Sequence, residues 1–379
     1  MLSTTLFSTM QIVWKRYRRT VEMLQALLLT GLPFLKINGQ SAFRFDIGEL
    51  NLYFFGSVIR IGDFYLILAA TLFLLLFISA VTVILGRVWC GWLCPQTVLL
   101  DLTENLASLF GRQHRKTVQK LVLLPVSALV SITMIWYFVP PAEAIHGLFT
   151  SPLIAGFFIV LWVLVWLELA LLGRKFCTTI CPYAMMQNTL FDKDTLVIEY
   201  DRSRDSTCMK CDDCVRVCPV GIDIKEGLST SCIACAECID ACWLKSSKRN
   251  LPPFPNYKGK IMRPKTFWLA GITAASALMV VLLFAMRPPV EFTLSRMQEP
   301  LPSGLNRYAW TIYNNTGHTL ELNIEADGDL TLIGERTVSV KPFGVARNKL
   351  LIRATGKRDK VRLTLTGTGI SVSREAGFL

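Results

Sequence analysis

The chain has 379 residues, of which 52% are apolar, with a mean hydropathy of +0.43 and a formal net charge of +12. This apolar content is too high for an ordinary soluble protein of that size, so membrane-spanning segments are expected. The basic residues occur in short groups beside apolar segments rather than in one stripe. That pattern favours positive-inside membrane topology, and no nucleic-acid partner is expected.

Four segments are long and apolar enough to span a bilayer, which takes about 20 residues. They are residues 64–85, 121–139, 153–172 and 267–286. Topology predicts a fifth span at 21–35, because the basic cluster 15–19 would otherwise share a side with the loop 140–152, which has no Lys or Arg.

Five spans place the amino terminus, the 86–120 loop and the 173–266 region in the cytoplasm. The predicted fold is therefore an α-helical polytopic membrane protein with an inserted α+β ferredoxin domain and an all-β C-terminal domain. We expect it in a bacterial inner membrane, as a multi-pass protein with the C-terminal domain in the periplasm. The expected domains are a membrane region with four spans at 1–186, a ferredoxin domain at 187–265, the last span at 266–286 and a β-sandwich at 287–379.

The pattern Gly-Arg-x-aromatic-Cys-x3-Cys-Pro occurs twice, at 86–95 and 173–182, each time directly after a predicted span. Because Pro favours the first position of a helix, Cys94 and Cys181 are expected near helix N-caps, where the helix dipole stabilises a thiolate. The neighbouring basic residues Arg87, Arg174 and Lys175 are expected to add to that effect.

We call the four cysteines of this repeat the membrane-face group: Cys90, Cys94, Cys177 and Cys181. They are interpreted as soft-metal ligands or electron relays, with copper(I) as the natural metal and zinc as an alternative. The simpler alternative is that they are structural cysteines that tie two spans together.

Three further polar residues are candidates for function. Glu168 lies inside a predicted span, where an acid is a functional-site hypothesis, but it is near the end and could reach the interface. Glu143 and His146 in the outer loop could mark a metal or quinone site, although solvated side chains are the more common outcome.

Two cysteine runs follow, each with the spacing Cys-x2-Cys-x2-Cys-x3-Cys, at 208–218 and 232–242. This rhythm is typical of bacterial two-cluster ferredoxins, in which the fourth cysteine of each run ligates the other cluster. One [4Fe-4S] cluster is assigned to Cys208, Cys211, Cys214 and Cys242, and the other to Cys232, Cys235, Cys238 and Cys218. Structural zinc sites are the alternative, but zinc has no need of eight cysteines in this pattern.

The C-terminal region contains alternating apolar runs at 308–313, 320–324, 338–340 and 361–365. Such runs, separated by turn residues, predict a small antiparallel sandwich, and no catalytic residue is evident in it. All twelve cysteines lie between Cys90 and Cys242, which suits a reducing compartment for that part and allows an oxidising one for the rest.

The chain resembles the FixG/CcoG (RdxA) family of cytochrome c oxidase accessory proteins, which are membrane-bound polyferredoxins. The resemblance lies in residues 87–97, 218–228 and 232–242, and in the order of the parts. It implies an immunoglobulin-like outer domain, two [4Fe-4S] clusters on the eight ferredoxin cysteines, and copper handling by the membrane-face group. After Cys242 the chain departs from the pattern of its relatives.

The resemblance implies that the chain reduces Cu(II) to Cu(I) for assembly of a haem–copper cytochrome c oxidase. As an enzyme it would be a metal reductase. Its implied partners are an unidentified cytoplasmic electron donor and oxidase subunits or copper-delivery proteins. Two alternatives stay open: a quinol-linked electron-transfer subunit of the NapH type, and an assembly scaffold in which the clusters are structural. The large outer domain favours the metal reductase over the quinol-linked subunit.

Overall fold

The computed structural model describes residues 14–37, 39–48, 50–108, 114–299, 301–302, 304–327, 330–354, 359–367 and 369–378. The helices are α1 Trp14–Gly31, α2 Phe64–Leu85, α3 Val88–Trp92, α4 Pro95–Ser108, α5 Arg115–Trp136, α6 Pro141–Thr150, α7 Pro152–Leu167, α8 Arg174–Thr179, α9 Pro182–Leu190, α10 Asp213–Arg216, α11 Glu237–Ser246 and α12 Pro264–Ala285. The strands are β1 Lys36–Ile37, β2 Gln40–Ser41, β3 Phe43–Asp46, β4 Asn51–Phe54, β5 Ser57–Arg60, β6 Val197–Tyr200, β7 Pro255–Lys258, β8 Val290–Arg296, β9 Leu305–Asn314, β10 Leu320–Ala326, β11 Leu330–Ile333, β12 Thr337–Val340, β13 Val345–Ala354, β14 Lys360–Gly367 and β15 Ile370–Gly377.

Within the described residues, four helices are long and apolar enough to cross a membrane: α2, α5, α7 and α12. A π-helical turn, Glu168–Leu172, extends α7 into one candidate span. These helices confirm the four apolar segments predicted from the sequence. The predicted fifth span, 21–35, falls largely in α1, which is not one of the four and buries Arg18 and Glu22.

The composition of α2 shows why these segments are helical and apolar all round. Its 22 residues contain no Gly, Pro or charged side chain, so nothing interrupts the helix. Large side chains such as Leu68 and Leu75 are 58% exposed, on a helix without a polar face. A helix that is apolar on every face is suited to lipid.

The ferredoxin domain follows α9 and precedes α12. Strands β6 and β7 pair antiparallel, with Val197 opposite Lys258 and Tyr200 opposite Pro255. The Pro-rich stretch 251–255 leads directly into β7. A small core that includes Ile198, Tyr200, Ile239 and Phe254 packs against the cysteine loops and holds them in place.

The C-terminal region is all β, as predicted. Its two antiparallel four-stranded sheets have the strand orders β12-β10-β14-β15 and β11-β13-β9-β8. Alternate residues of β9 and β14, such as Trp310, Ile312 and Leu363, are buried in one apolar core. All four apolar runs predicted to be strands lie in strands of this sandwich.

The chain forms two compact units, and one of them takes residues 34–66 out of the predicted 1–186 membrane region. One unit comprises the residues up to Pro33 and Ile67–Val280, whereas the other joins Phe34–Leu66 to Val281–Leu379. Buried polar side chains explain why Phe34–Leu66 joins Val281–Leu379, because a buried polar group needs a hydrogen-bond or ionic partner. Arg60, 5% exposed, donates to Asn315 and lies 4.5 Å over the ring of Tyr313, and Arg287 pairs with Asp63.

Candidate redox centre

The eight ferredoxin cysteines line two separate cavities. The first cradle contains Cys208, Cys211, Cys214 and Cys242. The second cradle contains Cys218, Cys232, Cys235 and Cys238, with Cys214 at its edge. The structure therefore brings these residues together in the same two groups that the crossed assignment predicts.

The crossed arrangement follows from α11. Cys238 and Cys242 lie one helical turn apart on this helix, about 6 Å along its axis. Cys238 consequently lines the second cradle while Cys242 lines the first. One helix thus ties both cradles into a single unit.

The backbone of both runs is shaped to receive an anionic group. In each run the residues before and after the second cysteine have positive φ: Lys210 (50°) and Asp212 (56°), and Ala234 (53°) and Ala236 (64°). None of them is glycine, so each such residue costs about 1–3 kcal/mol and persists only where the surroundings require it. Alternating right- and left-handed residues turn successive N–H groups inward, a concavity found at Fe–S sites. The cradles therefore fit [4Fe-4S] clusters in backbone as well as in ligand type.

The cysteines of the cradles are shielded from water. Burial raises the pKa of the Cys214 thiol to about 11 and that of Cys235 to about 12. It raises the pKa of Cys232 and Cys242 as well. Without metal these thiols stay protonated at neutral pH, so binding of iron must release their protons.

Helix α1 contacts the second cradle, which sequence reasoning did not anticipate. The Asp240 carboxylate accepts hydrogen bonds from the backbone N–H groups of Trp14 (3.1 Å) and Lys15 (2.8 Å) and so caps the start of α1. Arg18, 3% exposed, donates to the Cys235 carbonyl oxygen (3.4 Å) and to Glu237 (2.7 Å). A charged group of the membrane region thus lies directly against a cluster loop.

The two sequence repeats adopt the same local structure. Cys90 lies on the short helix α3 and Cys94 directly precedes Pro95, the first residue of α4. Cys177 lies on α8 and Cys181 is the N-cap of α9, which begins with Pro182. The predicted positions of Cys94 and Cys181 at helix starts are confirmed.

The four cysteines of the membrane-face group lie close enough for their charges to interact. Burial raises the pKa of Cys90 and of Cys177 to about 11, and the neighbouring cysteines raise both further. Cys94 and Cys181 are less buried than the other two. The group therefore has a closed side, with Cys90 and Cys177, and a more accessible side.

Helix α3 packs directly on the second cradle. A Cβ atom at Gly91 would lie 2.3 Å from the carbonyl oxygen of Ile233 and 3.0 Å from the backbone N of Cys235, so only glycine allows this approach. Trp92 Nε1 donates to the Ala234 carbonyl oxygen (3.2 Å). Cys90 shares an apolar cluster with Ile233 and Cys235. The membrane-face group and the second cradle are therefore neighbours in space.

Arg87 holds the two repeats and the cluster loop together. Its guanidinium donates to the carbonyl oxygens of Thr230 and Cys177 (3.1 Å for the latter). Its charge also offsets part of the effect of burial on the pKa of the Cys90 thiol. Arg174 differs from the expectation: it pairs with Asp101 and Glu104 on α4 rather than with a cysteine.

The other predicted polar residues do not line either cradle. Glu168 accepts a hydrogen bond of 2.5 Å from the side chain of Gln96, the residue that follows Pro95 in α4. This contact gives Glu168 a structural role at the start of α4. Glu143 and His146 are exposed on α6, where the ring of His146 lies 3.2 Å from the hydroxyl of Thr150. Within the described ranges no His, Cys, Asp or Glu residues form a group suited to a single metal ion, so the loop pair is not assigned one.

Comparison with known proteins agrees with this chemistry. A family model described as a 4Fe-4S dicluster domain matches residues 203–253. A second model, described as a 4Fe-4S binding domain, matches residues 67–116 and 154–197. The first match contains all eight cysteines of the cradles. The second contains the four cysteines of the membrane-face group.

Similar whole proteins have related descriptions. RdxA of Cereibacter sphaeroides is 28% identical over 76% of this chain and 73% of its own length. FixG, the nitrogen fixation protein of Rhizobium meliloti, is 28% identical over 52% of this chain and 45% of FixG. The ferredoxin-type protein NapH of Haemophilus influenzae is 27% identical over 41% of this chain and 60% of NapH. The chain is an iron–sulfur electron-transfer protein and belongs, with RdxA and FixG, to one family of membrane-bound ferredoxin-type proteins.

Proposed function

We propose that the chain carries electrons, one at a time, from a cytoplasmic donor through the two cradles to the membrane-face group, where Cu(II) is reduced to Cu(I). The Cu(I) then serves the assembly of a haem–copper cytochrome c oxidase. The observation that carries the proposal is the contact of α3 with the second cradle at Gly91, since it joins the cluster loop to a set of soft sulfur ligands.

The chemistry balances with one electron for each copper ion. When bound, each [4Fe-4S] cluster can accept and release one electron at a time. The electron that leaves the second cradle converts Cu(II) to Cu(I), and sulfur near the product favours the reduced metal because Cu(I) prefers soft ligands. The more accessible side of the group, with Cys94 and Cys181, is where the ion would arrive.

The proposed topology has five spans, with the ferredoxin domain in the cytoplasm and the C-terminal sandwich in the periplasm of a bacterial inner membrane. Two observations support α1 as the fifth span. It begins against Asp240 of the ferredoxin domain, and the segment that follows it, Phe34–Leu66, belongs to the same compact unit as the sandwich. We assign the sandwich an immunoglobulin-like fold and the role of contacting oxidase subunits or copper-delivery proteins.

An anaerobic experiment tests the copper step. The full chain is purified with its clusters, reduced, and mixed with Cu(II), and cluster oxidation is followed together with protein-bound Cu(I). Serine at all four positions of the membrane-face group should abolish Cu(I) formation and leave the two ferredoxin clusters in place. The control is Thr178→Ala on the exposed side of α8, which should behave like wild type. Equal cluster oxidation without bound Cu(I) in both wild type and serine variant would overturn the proposal.

One cavity favours a second function, quinol-linked electron transfer. An apolar cavity of about 230 Å³ is lined by Leu74, Phe77, Ile78, Val81, Trp89 and Tyr183. It lies along the candidate span α2, and Tyr183 packs against the apolar cluster that contains Cys90. The cavity thus combines lipid-like walls with a hydroxyl beside the redox centre. This function predicts that quinol reduces the clusters in membranes without added copper.

A further inference from the structure

We propose that electrons enter at the first cradle, and that the basic surface around it docks a small acidic iron–sulfur carrier protein of the ferredoxin class. The inference rests on the proposed function, because it gives the chemical class of the cytoplasmic donor. We call this surface the entry surface. Its basic residues are Lys210, Arg216, Lys225, Lys245, Lys248 and Arg249, and its exposed apolar residues are Val217 and Leu244.

The first argument is the position of the first cradle in the path. The second cradle is the one whose loop α3 approaches at Gly91. The first cradle is lined by side chains from the range 200–254, all in the ferredoxin domain. Three of its four cysteines are partly exposed: Cys208, Cys211 and Cys242. A path that leaves the second cradle for the membrane-face group therefore begins at the first.

The second argument is the separation of charge along α11. Glu237 and Asp240 lie in its first turn, and both carboxylates bind groups of α1. The opposite end of the helix lies at the first cradle, which Lys245 lines. Lys248 and Arg249 follow in a 3₁₀ turn, three and four residues after Lys245, and this spacing places all three on the same side. The acidic end of α11 is thus used within the chain, whereas the basic end faces outward.

The third argument is that half of these cations have no carboxylate partner. Arg216 and Lys245 share the carboxylate of Asp213. Lys225 pairs with Asp212. Within the part of the chain that the structure describes, three further exposed cations pair with no Asp or Glu: Lys210, Lys248 and Arg249. Unpaired charges of one sign on a surface attract and steer a partner of the opposite sign.

A simpler role, compensation of the charge in the cradle, does not account for the whole surface. Lys225 and Lys245 line the first cradle and offset the charge of thiolate ligands there, but the cavity lining does not include Lys248 or Arg249. Leu244, next to Lys245, is 69% exposed. Apolar side chains among charged ones are typical of a protein interface, and a small interface suits a transient electron-transfer encounter.

The electron balance of the docked step is simple. One electron leaves the iron–sulfur group of the carrier, which is oxidised by one, and enters the first cradle. The same electron passes to the second cradle, one turn of α11 away. No bond forms or breaks, and no proton is consumed. The carrier then leaves, and a second encounter supplies the next electron.

Stopped-flow reduction of the clusters tests the inference without copper. The full chain, purified anaerobically in detergent with its clusters, is mixed with a reduced acidic ferredoxin of the plant type. At about 0.01 M ionic strength, where charges act over about 30 Å, Lys248→Glu/Arg249→Glu should lower the second-order rate constant by at least about 10-fold. At about 1 M, where they act over about 3 Å, this variant and the wild type should react at the same rate.

A matched control makes the same change of charge elsewhere in the ferredoxin domain. Lys193→Glu/Lys260→Glu alters two exposed residues near the start of α12, outside the entry surface, and should react like the wild type. Reduced methyl viologen is a small cation that needs no docking surface, so neither variant should slow its reaction with the clusters. All three proteins should contain the same amount of iron, which would show that the variants keep their clusters.

The outcomes separate this inference from the copper function. An unchanged rate with the ferredoxin in Lys248→Glu/Arg249→Glu would overturn the entry surface. An equal loss of rate with methyl viologen would also overturn it, because the effect would then lie in the clusters. A difference seen only in bilayers of anionic lipid would make the surface a lipid contact instead. Charge-dependent reduction of the clusters without reduction of Cu(II) would support the inference and overturn the copper function.

Discussion

Replacing Gly91 with alanine should separate the membrane-face group from the second cradle. The added methyl would lie 2.3 Å from the Ile233 carbonyl oxygen, whereas ordinary van der Waals contact begins at 3.4 Å. The obstacle is backbone, so α3 and the cluster loop must move apart by about 1.1 Å, the difference between those two values. Overpacking of this kind costs about 1–3 kcal/mol, which lowers the population of the docked arrangement by about 5- to 150-fold.

Stopped-flow oxidation of the reduced clusters by Cu(II) measures this effect. We expect the Gly91→Ala protein to react more slowly by about 5- to 150-fold while keeping the iron of both cradles. Gly271→Ala on α12 is the matched control, because a Cβ there meets nothing within 4 Å. An unchanged rate in Gly91→Ala, with an EPR spectrum identical to wild type, would refute the reasoning that electrons cross at this contact.

Three further predictions concern stability. Arg18→Gln should lower the thermal unfolding midpoint in detergent, because removing one partner of a buried ion pair costs about 3–5 kcal/mol. The control Arg16→Gln, at an exposed position, should leave the midpoint unchanged. Equal midpoints for the two variants would contradict this prediction. The second prediction concerns Asp192. Burial tends to raise the pKa of its carboxyl group, but hydrogen bonds from Lys265 and Arg263 outweigh burial and hold this pKa below its ordinary value. Because the pKa is lower in the folded state, the ionised carboxylate stabilises the fold fully above about pH 4, and this stabilisation is lost as the pH falls. The wild type should therefore be more stable than Asp192→Asn at pH 7, and the difference in stability should shrink at low pH. Removing iron by chelation should make the ferredoxin loops sensitive to protease, and an unchanged digestion pattern would mean that the clusters do not order them.

Local patterns predicted much of the molecule. Apolar runs of sufficient length gave the four candidate spans, and alternation gave the strands of the C-terminal region. Pro95 and Pro182 marked the helix starts after Cys94 and Cys181, because the preference of Pro for the first helical position is local. Cysteine spacing alone anticipated the two groups of ferredoxin cysteines, since the spacing reflects the size of the group they bind.

Contacts between distant parts of the chain were not predictable in this way. Asp240 caps α1 across a separation of more than 220 residues, and Arg87 reaches the Thr230 carbonyl across 143. A basic residue after a span looks the same in sequence whether it meets a thiol, a carboxylate or a carbonyl group. Arg174 shows the consequence, because its carboxylate partners lie on α4, the helix that follows the other repeat. For Gly91, the aromatic and cysteine neighbours were visible in the sequence, but the close approach of Ile233 was not.

The packing of Phe34–Leu66 with the C-terminal sandwich was missed for the same reason. Arg60 and Asp63 are buried polar residues whose partners, Asn315 and Arg287, lie more than 220 residues away. Short strands with mixed polar and apolar residues give no local sign of such partners. Only the three-dimensional structure shows that this segment continues the sandwich unit.

The most direct test of electron passage to the membrane-face group is freeze-quench EPR of the reduced protein mixed anaerobically with Cu(II). Both the reduced clusters and Cu(II) are paramagnetic, so one experiment counts donor and acceptor. The account predicts that the Cu(II) signal disappears in a one-to-one ratio with the cluster signals in the wild type, and that it persists in the four-serine variant. Loss of the cluster signals while Cu(II) remains, or equal loss in the variant, would contradict it.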